Sequence, residues 1–177
     1  MMRAANLVTL LILFVVGLLG LCPLPALAET RDADLEGFQE VPVISTTGSG
    51  TFRARIARDE SSIDFVLSYD GLTGTVTQAH IHLGQRSVNG AIVIFLCTNL
   101  GNGPAGTPLC PAPPATISGT IEAGDVLAVA AQGIAAGELG EIIRAMREGV
   151  TYANVHSTLF PSGEIRGQIR GQGHDSH

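Results

Sequence analysis

Lysine is absent from this 177-residue chain, whose ten basic residues are all arginines set against sixteen acidic ones, a formal net charge of −6. The arginines form no run of positive charge of the kind that follows phosphates or anionic lipid, which argues against nucleic acid as a partner. A Gly-x-Ser-x-Gly elbow is also missing, and Ser157, although it follows His156, has no clear Asp partner, so a hydrolase triad has no support. Glycine is plentiful but scattered through turns. No strand, Gly-rich loop and helix follow in the order a nucleotide site needs. Cysteine is scarce, with Cys22, Cys97 and Cys110 the complete set.

The N-terminus has the three parts of a secretory signal: Arg3, an apolar run over residues 7–21, and Ala26-Leu27-Ala28 as a small-residue cleavage site. Residues 1–28 are therefore expected to be removed, giving a secreted or periplasmic chain with no membrane span after cleavage. Pro23 and Pro25 interrupt the run before it reaches the roughly 20 residues a spanning helix needs. Leu21 stands before Cys22 where lipidation requires a small residue. Cleavage leaves Cys97 and Cys110, which are expected to form a disulfide closing the loop TNLGNGPAGTPL. On a chain-entropy basis such a closure contributes about 3 kcal/mol. Zinc or dithiol chemistry is disfavoured because neither cysteine has a close partner in sequence.

What remains suits one domain, placed at 35–170, with residues 171–177 a disordered tail. Residues 35–50 read as loop and edge strand, since Pro42 is incompatible with a central strand. Residues 51–58 alternate Phe52, Ala54 and Ile56 against Arg53 and Arg55. Residues 63–69 alternate Ile63, Phe65, Leu67 and Tyr69 against Asp64 and Ser68, so the two form a hairpin. Strands follow at 75–84, 91–96 and 117–121. Leu139, Ile142, Ile143 and Met146 recur at helical spacing before Gly149, predicting a short amphipathic helix, while 125–136 is ambiguous between strand and helix. About seven short strands and one helix predict an all-β, antiparallel immunoglobulin-like sandwich or barrel.

The chemistry gathers in two places. His80 and His82 lie on the same side of one strand, about 7 Å apart along the chain. Residues 152–169, YANVHSTLFPSGEIRGQI, read as a hairpin turning at Pro161-Ser162-Gly163, with a polar ladder of Tyr152, Asn154, His156, Glu164, Arg166 and Gln168 backed by an apolar one. A symmetric register sets His156 opposite Glu164, Asn154 opposite Arg166 and Tyr152 opposite Gln168. His80, His82 and His156 are then candidate ligands for copper or zinc. Glu164 is a candidate fourth ligand or a carboxylate that orients a ring. The alternative is a set of histidines and a Glu164–Arg166 ion pair that stabilise the sheet and bind nothing.

Three blocks, LEGFQEVPVISTTGSG, LTGTVTQAHIHLGQRSVNGAIVIFL and YANVHSTLFPSGEIRGQI, in this order, resemble the CHRD domain, the module named after chordin. The resemblance runs over about 35–169 and implies an immunoglobulin-like β-barrel. In animal chordin such domains belong to an extracellular antagonist of growth factors, but the cysteine-rich modules that accompany them are missing here. The His-x-His is also locally similar to the copper-ligand strand of copper/zinc superoxide dismutases, without the rest of that ligand pattern.

Two readings follow. One is a non-catalytic extracytoplasmic binding or structural module with an unknown protein or ligand as partner. The other is a histidine-based copper or zinc domain, redox-active in a superoxide dismutase-like way.

Overall fold

The computed structural model describes residues 28–171. The expected signal and tail lie outside the described residues, apart from Ala28 and Gly171. Among the described residues no helix is long and apolar enough to cross a membrane.

Alternation organises the first half as expected. β2 (Ser49–Ile56) and β3 (Ile63–Asp70) pair antiparallel from Ile56↔Ile63 to Ser49↔Asp70. Their inward residues pack in the core, Phe52 and Phe65 with ring centroids 6.3 Å apart. On the outer face Arg55 pairs with Asp64 at 2.9 Å and Arg53 with Asp32 at 2.5 Å. β6 (Ala115–Ile121) extends this hairpin beyond β3.

The strand the sequence conceals is β1 (Glu29–Glu36), ETRDADLE. It pairs with β2 along its whole length, meets β8 (Ile165–Gln168) through Glu36↔Arg166, and carries the two-residue β9 (Arg170–Gly171) on the same side. It is an inner strand, and it shares only Leu35 and Glu36 with the stretch expected as loop and edge strand. Of its side chains only Ala33 and Leu35 are buried, and Glu29 and Asp32 before them are met by Arg147 and Arg53 from other elements, so no apolar alternation is visible over residues 29–32.

The second half supplies β4 (Val76–Leu83), β5 (Ala91–Thr98), β7 (Thr151–Ser157) and β8 (Ile165–Gln168). Among the described residues eight strands form one sheet in the order β5-β4-β7-β8-β1-β2-β3-β6, with β9 as a ninth paired to β1, and the sheet curls into a nearly closed antiparallel barrel around Leu35, Leu67, Ile81, Leu96 and Val155. Helix α1 (Leu139–Arg147) buries Leu139, Ile142, Ile143 and Met146, and stops where Gly149 takes φ +68°. Arg147 holds it to Glu29 and Glu60, each at 2.7 Å. The ambiguous stretch before the helix is neither strand nor α-helix. It forms short 3-10 turns at Ala123–Asp125 and Ala130–Gln132, and Leu127 N–H donates to Val93 O on β5 at 2.9 Å. Cys97 and Cys110 are joined in a disulfide.

One feature of the barrel positions the site. β2 and β3 alternate buried and exposed residues, but every residue of β7 and β8 is buried. The apolar side of β4, β7 and β8 faces the barrel core. Their polar side lies beneath two loops, 40–46 and 85–90, so a face that would otherwise be solvated is enclosed.

Candidate metal centre

His80, His82 and His156 come together on that enclosed face. Strand order makes β4 and β7 neighbours, and the register puts His80 opposite Asn154, His82 opposite Tyr152 and Gln78 opposite His156. The three rings therefore project to the same side from adjacent strands. Each offers one nitrogen, and these nitrogens all lie within 4.8 Å of one another. All three residues are buried, His80 completely.

Backbone carbonyls set the tautomers. His82 Nδ1 lies 3.0 Å from Gly90 O, and His156 Nδ1 lies 3.0 Å from Pro161 O. A carbonyl can only accept, so both Nδ1 atoms carry the proton and both Nε2 atoms carry a lone pair. His80 Nδ1 is 3.2 Å from His156 Nε2 and donates to it. His80 Nε2 and His82 Nε2 are buried and have no hydrogen-bond partner in the protein. Buried polar atoms are rarely left unpaired, and two imidazole nitrogens without partners in one cluster need an explanation.

Burial also keeps the rings neutral. It is the main cause of the fall in the His80 pKa to about 2, reinforced by His156 and His82, and in the His82 pKa to about 4, where the bond to Gly90 O opposes it. His156 is held below its ordinary value by burial, against its bond to Pro161 O. Neutral imidazole is the form that ligates a metal.

Aromatic rings wall the cluster. Phe95 on β5 packs edge-on to His80, with ring centroids 4.4 Å apart. Tyr152 stacks on His82 at 4.6 Å, and the Arg166 guanidinium carbon lies 3.4 Å from the centre of the Tyr152 ring.

The remaining residues of the expected ladder are placed differently. Tyr152↔Gln168 and Asn154↔Arg166 pair as the hairpin symmetry predicts, but the ladder ends at Val155↔Ile165 and Glu164 does not reach the histidines. Its carboxylate accepts from Thr46 Oγ1 at 2.6 Å and Thr73 N–H at 2.5 Å. Burial works to raise its pKa, but the hydroxyls of Ser157 and Thr46 with the N–H groups of Thr73 and Gly74 outweigh that and hold it low. It is committed to a loop anchor and not to ring orientation. Nor does it pair with Arg166, which donates to Val88 O at 3.0 Å, Gln85 O at 3.1 Å and Asn89 Oδ1 at 3.4 Å and so fastens the 85–90 loop over the site. Asn154 donates to Glu40 Oε1 at 2.6 Å and Ile165 O at 2.8 Å. Gln168 Nε2 donates to Gly84 O at 2.9 Å and Gly149 O at 2.8 Å, tying together the backbone that follows β4 and the backbone that precedes β7.

Sequence reasoning missed Glu40, Phe95 and the Gly90 and Pro161 carbonyls. Only Phe95 left a signal, an aromatic in an apolar strand beside His-x-His. The carbonyls belong to turns, and nothing in residue identity says which way a carbonyl points.

The CHRD domain family model matches residues 31–169. No curated protein and no solved structure matches the chain.

Proposed function

The chain belongs to the CHRD domain family, and from that premise we propose that it is an extracytoplasmic binding module whose His80, His82 and His156 hold one copper or zinc ion. The observation that carries the reading is the pair of carbonyl-anchored rings. Gly90 O and Pro161 O hold the Nδ1 protons of His82 and His156, so the His156 Nε2 lone pair faces His80 Nδ1 and the His82 Nε2 lone pair is left unpartnered in the same cluster. Outer hydrogen bonds of this kind orient metal-ligating histidines generally. Two nitrogens bound to one ion at about 2.0–2.1 Å in tetrahedral geometry lie about 3.3 Å apart. His80 Nδ1 and His156 Nε2, at 3.2 Å, are already at that separation. A cation there displaces the proton between them, which moves to His80 Nε2 so that the ring stays a neutral ligand. The disulfide is consistent with an oxidising compartment outside the cytoplasm.

The test is a titration with copper(II) and zinc(II) of the protein carrying His174→Ala and His177→Ala, so that tail histidines do not contribute. One-to-one binding that falls at least a hundredfold in both His80→Ala and His156→Ala is expected. Binding that survives either substitution unchanged would overturn the site. In that case the reading that remains is a module whose polar face serves to fasten its covering loops.

A further inference from the structure

We propose that the histidine cluster is built for copper(I) in preference to copper(II) and other divalent ions. The inference rests on the metal-binding reading above and concerns the charge the site tolerates.

The cluster's surroundings offer a cation no negative charge. Three neutral imidazoles carry no negative charge, and no carboxylate or thiolate joins them among the described residues. Glu164 is turned to Thr46 and Thr73. Glu40 is separated from the cluster by Asn154, whose amide it accepts. Cys97 and Cys110 are bonded to each other. Moving an ion from water into a poorly polarisable interior costs free energy as the square of its charge, so a dication pays about four times what a monocation does. Many dication sites offset that cost with carboxylate or thiolate ligands, and three-histidine zinc sites with a bound water that ionises.

The charge of Arg166 has the wrong sign for a dication. Arg166 lies against the Tyr152 ring, and Tyr152 is stacked on His82. Arg166 is itself buried, so little water screens its charge. Its repulsion acts twice as strongly on a divalent ion as on a monovalent one.

Copper(II) favours tetragonal surroundings with nitrogen and oxygen ligands. Here the sides of the cluster are closed by the Phe95 ring and the Tyr152 ring face, neither of which supplies an oxygen ligand, since the Tyr152 hydroxyl is directed to the Gly90 backbone. Three nitrogens without a further donor suit a monovalent d10 ion that accepts low coordination.

The experiment measures both valence states in the full chain with His174→Ala and His177→Ala. Copper(I) is titrated anaerobically, with ascorbate as reductant, against the chelator bathocuproine disulfonate. Copper(II) is titrated against a competing amino acid, and the reduction potential of the bound copper is measured independently. Copper(I) is expected to bind at least tenfold more tightly than copper(II). The potential should then lie at least about 59 mV above that of the aqueous copper couple. Arg166→Gln removes the repelling charge, and Phe95→Glu puts a carboxylate beside His80 at a residue that is only partly buried. Both are expected to narrow the gap between the two states, and Phe95→Glu to strengthen zinc(II) binding. With two variants of different burial, misfolding of one leaves the other to decide. Histidine-dependent copper binding with copper(II) held as tightly as copper(I) or more tightly would overturn the valence preference and leave the metal site standing. Absence of binding by copper in either state and by zinc would overturn both.

Discussion

His82 and Tyr152 lie face to face, their rings 4.6 Å apart and 6° from parallel, and both reach the same residue: Gly90 O takes the His82 Nδ1 proton while Gly90 N–H donates to the Tyr152 hydroxyl at 3.2 Å. One glycine backbone thus fixes a ligand ring and the aromatic ring that supports it. Because β4 and β7 are neighbours with His82 opposite Tyr152, the sheet register produces this stack directly.

Tyr152→Leu is expected to weaken metal binding about tenfold by freeing the His82 ring, in the range that loss of an outer contact to a ligand produces. Tyr152→Phe keeps the stacking face and is expected to recover most of that loss. Equal weakening by Phe and Leu, read in the same competition titration, would assign the effect to the hydroxyl.

Acid should destabilise the metal-free protein through its histidines. The pKa values of His80 and His82 are about 2 and about 4 when folded, below an unfolded value near 6.5. Below pH 6.5 the unfolded chain therefore binds protons the folded chain refuses. Stability is complete above pH 6.5 and falls toward pH 4, by up to about 1.4 kcal/mol per pH unit for each histidine. Urea midpoints measured across that range check the sign, and replacing His82 with Gln is expected to flatten the slope.

Glu40 acts in the opposite direction. Burial raises its pKa to about 7, opposed by the hydrogen bond from Asn154 and the charge of Arg166. Between pH 4.5 and 7 the folded state keeps a proton that the unfolded state has lost, so this residue's contribution decreases as pH rises. Glu40→Gln retains an oxygen for the Asn154 amide and is expected to stabilise the protein at pH 7.5 by roughly 2–3 kcal/mol, a gain that disappears below about pH 4.5. In that variant the histidine-driven loss toward acid should also be steeper than in the parent. A constant stability difference across pH would show that Glu40 does not titrate in this range.

Gly163→Ala is expected to lower stability by about 1–3 kcal/mol. The residue has φ +130°, and a Cβ there would meet Glu40 Oε1 at 2.5 Å and Asn154 Nδ2 at 2.7 Å. Thermal melting provides the measurement, and a melting temperature equal to that of the parent would show that the 161–163 turn can shift without cost.

The strands with one solvated face could be read from sequence because burial on that side repeats every second residue, as in Phe52, Ala54 and Ile56 against Arg53 and Arg55. The helix over Leu139–Arg147 and the pairing of Asn154 with Arg166 were legible for the same local reason, a period and a turn. His80 and His82 were placed on one side of a strand by spacing alone, and His156 on one side of another. β1 could not be read, because its acids find arginine partners in other elements and break the apolar alternation.

The sequence by itself therefore determined which side chains share a face, since that follows from backbone geometry two residues at a time. Only the tertiary structure decided that β4 lies beside β7, that loops 40–46 and 85–90 cover the polar face, and that the Gly90 and Pro161 carbonyls hold the imidazole protons. Strand order and loop packing arise from long-range contacts, and carbonyl direction from turn geometry, neither of which residue identity encodes locally. Glu164 shows the difference: symmetry about the turn set it against His156, but Thr46, Thr73 and Gly74, donors from other parts of the chain, draw its carboxylate away.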